Sequence, residues 1–435
     1  MAIAYLWGAF ASGIHYTHSE GRNKYDAVTY PLGEQSITKN SISGRLKKLK
    51  ITGIESVFVG AKTPGVGLLS NRNYHYVLVH TDEGITGLGE ATLESHDHAV
   101  AGTLKDLECL VIGEDPRRIE YLTQKMVKQL FWKGGVIKGS AIAGIELALW
   151  DILGKVSNLP VYQLIGGACR DKVRVYVNGW SGGSLDPAVI REKAQLAMAA
   201  GYDAFKFSLA LPVWNVNDPT NLRKIELVAK TIRETVGPDA MLMYDGHGRY
   251  DADLAIRVGR ILEAYDFTFF EEPCQPEDEE GLAKVASRLD IPIATGERLS
   301  FLPEFKRLLT RNCASIIQPD IGHSCGFGTA LKAAHLAEAF NAFVAPHGPM
   351  SPVITTISLH LDAAIPNFLI QERLFLNDWR NEVITEPLQV KEGYVTLNNK
   401  PGWGIELDED VCKAHPSIPS YTPQLTRPDG AVCDW

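Results

Sequence analysis

The chain has no Cys-x-x-C pair, no block of like charge and no apolar run long enough to cross a bilayer, and each absence removes a class of protein. Its seven cysteines, Cys109, Cys169, Cys274, Cys313, Cys325, Cys412 and Cys433, are odd in number and irregularly spaced. That fits reduced thiols better than a disulfide framework, so the cytoplasm is the expected compartment. The formal charge of −9 is spread along the sequence, which leaves neither nucleic acid nor an anionic membrane as an expected partner. The opening MAIAYLWGAFASGI is apolar, yet it lacks a basic flank and is too short to span a bilayer, so it does not read as an export signal.

What remains is a large globular chain. With 45% hydrophobic and 22% charged residues it can bury sizeable cores, and a length of 435 residues favours two or three domains. Residues 1–47 have no clear period and read as an N-terminal extension. From Leu49 the runs LKITGIESVFVG and NYHYVLVHTDEGITGLGEA alternate as strands do, with a turn at Asp82, Glu83 and Gly84, predicting a small antiparallel sheet. The Gly-, Pro- and Asn-rich text at 61–73 predicts a mobile surface loop, and 93–98 a second loop. Residues 99–157 are helical by pattern: Ile142, Ile145, Leu149 and Ile152 form one apolar stripe, Trp150 is expected in packing and Asp151 as surface charge. The doubled glycine of LPVYQLIGG marks a boundary, so residues 48–165 are expected to form an α+β domain.

Beyond that boundary the sequence settles into a beat. VRVYVNGW (173–180) and YDAFKFSL (202–209) read as strands, followed by helices near 187–200 and 221–236, the latter after a long connection through LPVWNVNDPT. Six further apolar runs each end on a polar residue: MLMYD at Asp245, FTFFEE at Glu271 and Glu272, PIATGE at Glu297, SIIQPD at Asp320, FVAPH at His347 and NFLIQE at Glu372. The steps are 26, 26, 23, 27 and 25 residues, about what a buried strand, a surface helix and two loops consume. Eight parallel strands with intervening helices predict a TIM-type (β/α) barrel over 166–385, its chemistry at the strand C-termini. Residues 386–435 read as a hairpin plus a tail that folds back on the first domain.

In such a barrel Asp245, Glu271 and Glu297 end successive strands and sit side by side. Three converging carboxylates repel unless a cation neutralises them, and oxygen-only ligation suits Mg²⁺ or Mn²⁺. Asp320 and His347 end the next two strands, where an aspartate fixes the tautomer of a histidine and raises its basicity, making a general base. The first barrel strand offers no His-x-His, which argues against a hydrolytic metal barrel. His247 follows Asp245 by two and therefore faces the same side, into the site.

These residues, with IELALWDILGK and LPVYQLIGG, resemble the enolase superfamily in its mandelate racemase branch, over roughly residues 48–408. The resemblance implies an α+β capping domain over a modified barrel, abstraction of a proton α to a carboxylate, and Mg²⁺ stabilising the resulting enediolate. Many members carry Lys-x-Lys at the end of the second barrel strand; here the text is Lys206-Phe207-Ser208, which weakens two-sided proton exchange of the racemase kind. Asp-x-His, HGR, SAIAGIELALWD and NFLIQE resemble the sugar-acid dehydratases of the galactonate dehydratase type. Carried over, His347 is the base, His247 the acid that protonates a departing 3-hydroxyl, Glu372 a ligand of the substrate carboxylate or enediolate, and Lys206 a positive charge toward it. The nearby carboxylates are expected to favour the charged form of His247.

The expected activity is thus dehydration of an aldonate to a 2-keto-3-deoxy acid, with epimerisation or cycloisomerisation through the same enediolate as the alternative. Specificity is expected from loops 61–73 and 93–98, including His96, Asp97 and His98. A symmetric homo-oligomer is the expected assembly.

Overall fold

The computed structural model describes residues 48–62, 71–209, 219–376, 378–419, 424–427 and 429–433. The N-terminal extension, the centre of the 61–73 loop and the connection at 210–218 lie outside the described residues. No helix among the described residues is long and apolar enough to cross a membrane, and all seven cysteines are unpaired.

The first layer is an antiparallel meander, β1 (Ile51–Lys62), β2 (Asn71–Thr81) and β3 (Thr86–Glu90), with the predicted turn at 82–84. β1 and β2 pair out to Lys62↔Asn71, so both ends of the expected 61–73 loop are strand. Backbone pairing there overrides the loop-like composition, and Arg72 and Asn73 are buried. Three helices follow, α1 (Asp97–Val111), α2 (Ile119–Lys128) and α3 (Val136–Ser157). Asp97 and His98, read as loop, open α1.

β3 lies directly on α3 because glycines remove the side chains between them. A Cβ on Gly87 would come 2.1 Å from the Ala148 carbonyl oxygen, and one on Gly89 2.1 Å from that of Gly144. The predicted stripe Ile142, Ile145, Leu149 and Ile152 is fully buried, and so are most other faces of α3. Asp151 corrects the surface-charge expectation: it is 0% exposed, pairs with Lys155 at 2.8 Å and accepts the backbone N–H of Leu88 and of Trp403, both at 2.9 Å. A helix wedged on most of its faces needs internal partners for its buried charges, and Asp151 finds them on β3 and on a tail 252 residues away.

After a short helix α4 (Val161–Leu164) come the barrel strands β4 (Val173–Asn178), β5 (Ala204–Ser208), β6 (Met241–Asp245), β7 (Phe269–Glu271), β8 (Ile293–Thr295), β9 (Ile316–Ile317), β10 (Phe343–Val344) and β11 (Gln371–Leu374). All are parallel, and β11 pairs with β4. Val344 pairs in parallel with Phe368, just before β11, which closes the ring. Helices α5 (Pro187–Ala199), α6 (Pro219–Val236), α7 (Ala252–Glu263), α8 (Glu279–Ala286), α9 (Leu302–Thr310), α10 (Phe327–Ala339) and α11 (Pro352–Ala364) fill the seven crossovers. Several begin where an aspartate or serine caps the first turn: Asp186, Asp251, Asp278 and Ser351 accept N–H groups of α5, α7, α8 and α11.

The C-terminal hairpin departs from expectation in its first part. β12 (Tyr394–Val395) pairs antiparallel with the start of β4, adding to the barrel rather than to the first sheet. Farther on, the Trp403 indole N–H is shared between the Leu88 and Leu147 carbonyls, and the Gly60 N–H donates to the His415 carbonyl at 2.9 Å. The last α-helix, α12 (Glu409–Ala414), lies between these contacts.

Candidate active site

Inside the barrel, one apolar residue from each strand or its edge forms a buried floor: Tyr176, Ala204, Met243, Phe269, Ala294, Ile316, Ala345 and Ile370. A strand side chain repeats on the same face every two residues, so the next position toward the C-terminal mouth also faces inward. Those positions are Asn178, Lys206, Asp245, Glu271, Gln318, His347 and Glu372, a polar layer on an apolar floor. At the β8 edge the position falls to Gly296, whose φ of +137° suits glycine, and Glu297 takes the acidic role one residue later. Glu297, Asp320 and His347 lie just beyond their strands, which are shorter than the apolar runs suggest.

Asp245, Glu271 and Glu297 each offer an oxygen within 4.8 Å of the others. Lys206 Nζ reaches Glu271 at 2.9 Å, Glu372 at 2.8 Å and Asp245 at 3.4 Å. One lysine does not neutralise the group. Burial, and then Asp245, pushes Glu271 well above the usual carboxylate range, and burial, with Glu272 next, pushes Glu297 up to about 8. Asp245 goes the other way: His247 and Lys206 outweigh its burial and hold it at about 2. Glu297 Oε2 is buried and accepts no hydrogen bond. An oxygen-only set with unrelieved repulsion and an unused lone pair fits a divalent cation of the Mg²⁺ type.

His347 is 9% exposed and donates from Nδ1 to Asp320 Oδ2 at 2.6 Å, leaving Nε2 3.4 Å from Glu297 and 3.9 Å from Glu372. Glu297, Glu372 and Asp320 together outweigh burial and raise His347 well above the usual histidine range. Glu372 is 0% exposed, with its oxygens taken by Lys206, by the Asn178 amide at 2.8 Å and by the Gly348 N–H at 3.0 Å. Lys206 and His347 outweigh its burial and keep it ionised.

His247 stands on the other flank. Its Nε2 is 3.2 Å from Asp245 Oδ2, its Nδ1 is 2.9 Å from Ser208 Oγ, and its N–H donates to Asp245 Oδ1 at 2.9 Å. Its φ of +49° is a left-handed conformation uncommon for a residue with a Cβ, as is the +38° of Glu272 just past β7. Asp245 favours the charged form of His247, as expected, but it does not decide the outcome. Burial is the largest influence, Asp245 offsets only part of it, and Arg249, Lys206 and Arg298 add to it, so the ring falls to about 4.

Several partners escaped sequence reasoning. Asn178 holds Glu372, and Arg298 pairs with Glu272 at 2.8 Å. His323 Nε2 lies 3.7 Å from Asp320, while its Nδ1 contacts Ser140 Oγ on α3 at 2.9 Å. The signal for His323 was its place three residues after Asp320, and for Arg298 its adjacency to Glu297. In the first domain Arg72 pairs with Glu94 at 3.1 Å and approaches Met350 Sδ at 3.4 Å, three residues past His347. Asn73 donates to Asp97 at 2.6 Å, whereas His96 and His98 are exposed.

Residues 189–411 match the family model described as enolase C-terminal domain-like, and residues 61–166 match the mandelate racemase/muconate lactonizing enzyme N-terminal domain. The chain belongs to the enolase superfamily. Within its mandelate racemase branch, a D-galactonate dehydratase of Pectobacterium atrosepticum is 36% identical over 369 residues, covering 83% of this chain and 96% of that protein. A D-galactonate dehydratase family member of Streptomyces bingchenggensis is 33% identical, covering 89% and 98%. Among solved structures, a mandelate racemase/muconate lactonizing enzyme from Sulfitobacter superposes with a TM-score of 0.80 at 32% identity, covering 89% of this chain and 100% of that one.

Proposed function

We propose that the barrel mouth is a Mg²⁺-dependent sugar-acid dehydratase acting on an aldonate of the galactonate or gluconate kind. The observation that carries this is the pairing of unlike histidines across one carboxylate cluster: His347, backed by Asp320, and His247, beside Asp245. Hydroxide is a poor leaving group, so loss of water needs an acid as well as a base. The similarity to proteins named D-galactonate dehydratase supports the same reading.

In this reading Nε2 of His347 takes the C2 proton, with Asp320 holding the ring by its Nδ1–H. The electron pair left by that proton passes into the enediolate and then into a C2=C3 bond as the C3–O bond breaks. His247 gives a proton to the departing hydroxyl, water leaves, and the enol tautomerises to the 2-keto-3-deoxy acid. A cation held by Asp245, Glu271 and Glu297 would supply positive charge opposite the substrate carboxylate; Mn²⁺ suits the same donors. Lys206 adds a fixed positive charge. Glu372, ionised and fully engaged, suits holding Lys206 and the Gly348 backbone better than contacting an anionic substrate directly.

The test is a panel of aldonates and aldarates incubated with the protein and Mg²⁺ and assayed for 2-keto-3-deoxy products. At least one aldonate should be dehydrated. Deuterium entering C2 from solvent with no keto-deoxy product from any panel member would instead indicate an epimerase or cycloisomerase.

A further inference from the structure

We propose that Ser208 is a positioning residue for proton delivery, fixing the orientation of His247 and, together with Asp245, its tautomer; this rests on the dehydratase reading above. Ser208 is the last residue of β5 and pairs in register with Asp245 on β6, so its side chain reaches the neighbouring strand at the level of the carboxylates. It stands two residues beyond Lys206, which itself stands two beyond the floor residue Ala204, so all three share the inner face. Its Oγ lies 2.9 Å from His247 Nδ1.

The imidazole is thus held at both nitrogens by groups from two strands, Ser208 Oγ at Nδ1 and Asp245 Oδ2 at Nε2, the latter 3.2 Å away. A carboxylate only accepts, and the other oxygen of Asp245, Oδ1, already accepts the His247 backbone N–H at 2.9 Å. Nε2 therefore carries the proton of the neutral ring, and Nδ1 must accept from the Ser208 hydroxyl. A serine can donate here; an alanine cannot. To act as the acid the ring takes up a second proton and, as an imidazolium, gives one proton to the departing hydroxyl and returns to the neutral form; the Ser208 hydroxyl, which can donate or accept, keeps its contact with Nδ1 in both states. With His247 on a left-handed turn of φ +49° followed by Gly248 at +66°, the ring hangs from a sharply reversed backbone, and the Ser208 contact helps fix its angle.

The proposal predicts a partition effect rather than a uniform loss. His347 and Asp320 do not touch Ser208, so removal of the C2 proton should survive Ser208→Ala while loss of the 3-hydroxyl slows. Incubated in D₂O with a dehydrated aldonate, Ser208→Ala should eliminate water roughly tenfold more slowly, while recovered substrate gains deuterium at C2 at a rate within about twofold of the wild type. Ser208→Thr, which restores the hydroxyl, should recover most of the elimination rate. Equal loss of exchange and elimination, or unchanged elimination, would overturn the proposal.

A second measurement does not depend on turnover. Long-range ¹H–¹⁵N histidine spectra of the cation-free protein, with the His247 signal assigned by its loss in His247→Asn, should show the Nε2–H tautomer in the wild type. Ser208→Ala should shift that signal toward a mixture of tautomers. An unchanged tautomer would overturn the proposal even in an active dehydratase, whereas a shifted tautomer in a protein that dehydrates nothing would overturn the dehydratase reading and leave the Ser208 contact standing.

Discussion

His347 and His247 flank the same three carboxylates, one 3.4 Å from Glu297 and the other 3.2 Å from Asp245, yet their surroundings drive them apart. Around His347, Glu297, Glu372 and Asp320 all favour the charged ring and outweigh burial. Around His247, burial wins over Asp245, and Arg249, Lys206 and Arg298 oppose the charge. The same side chain is thus given two proton affinities by what faces it, which is how one fold keeps an acid and a base in one cavity. The direction is the reverse of a resting base and acid, because the carboxylates near His347 are uncompensated. Neutralising Glu297 removes the largest charge that raises His347, so in the proposed reading His347 serves as base once the acidic cluster is charge-balanced.

The comparison breaks most completely at His347. His347→Asn should abolish both C2 exchange and dehydration, by about 10²–10⁴-fold or more, read by deuterium uptake and keto-acid formation. Retention of either would remove His347 as the base. Next in size is Glu297→Gln, which should weaken Mg²⁺ or Mn²⁺ binding by more than the ~10–100-fold that outer partners are worth, measured by titration calorimetry on the protein alone.

The smallest effect sharpens the lesson about burial at a site outside the mouth. Glu146 on α3 is 1% exposed and accepts N–H groups from Phe327, Gly328 and the Trp150 indole. Burial outweighs those bonds and pushes it from 4.5 up to about 7. A carboxyl with a raised folded pKa keeps its proton in the native state while the unfolded chain has lost it. Its contribution to stability is therefore present below about 4.5 and lost as pH rises through about 7. Denaturant unfolding should show stability falling over that window, and Glu146→Gln should flatten the fall by on the order of 3 kcal/mol. A pH slope identical in wild type and variant would show that Glu146 stays ionised throughout.

The barrel was legible because its repeat is enforced by geometry: each strand must return to the same mouth, so Asp245, Glu271 and Glu297 recur at 26-residue steps. The triad and the neighbours Asp320 and His347 came together for that reason. Asp151 was misread because its buried partners lie on β3 and at Trp403, far along the chain, and no local pattern reports those contacts. The net charge state of His247 was not legible because burial, its largest influence, and the approach of Arg249 and Arg298 from turns are not specified by the residue pattern. Asn178 was overlooked because an amide ending a strand looks like any turn residue until Glu372 is seen beside it.

The separation of the two histidines is tested most directly by His247→Asn in D₂O. Elimination of water should fall by about 10²–10⁴-fold while deuterium still enters C2 of the recovered aldonate at a rate close to that of the wild type. Loss of C2 exchange together with elimination, or dehydration at the wild-type rate, would contradict the assignment of base and acid to separate sides of the mouth.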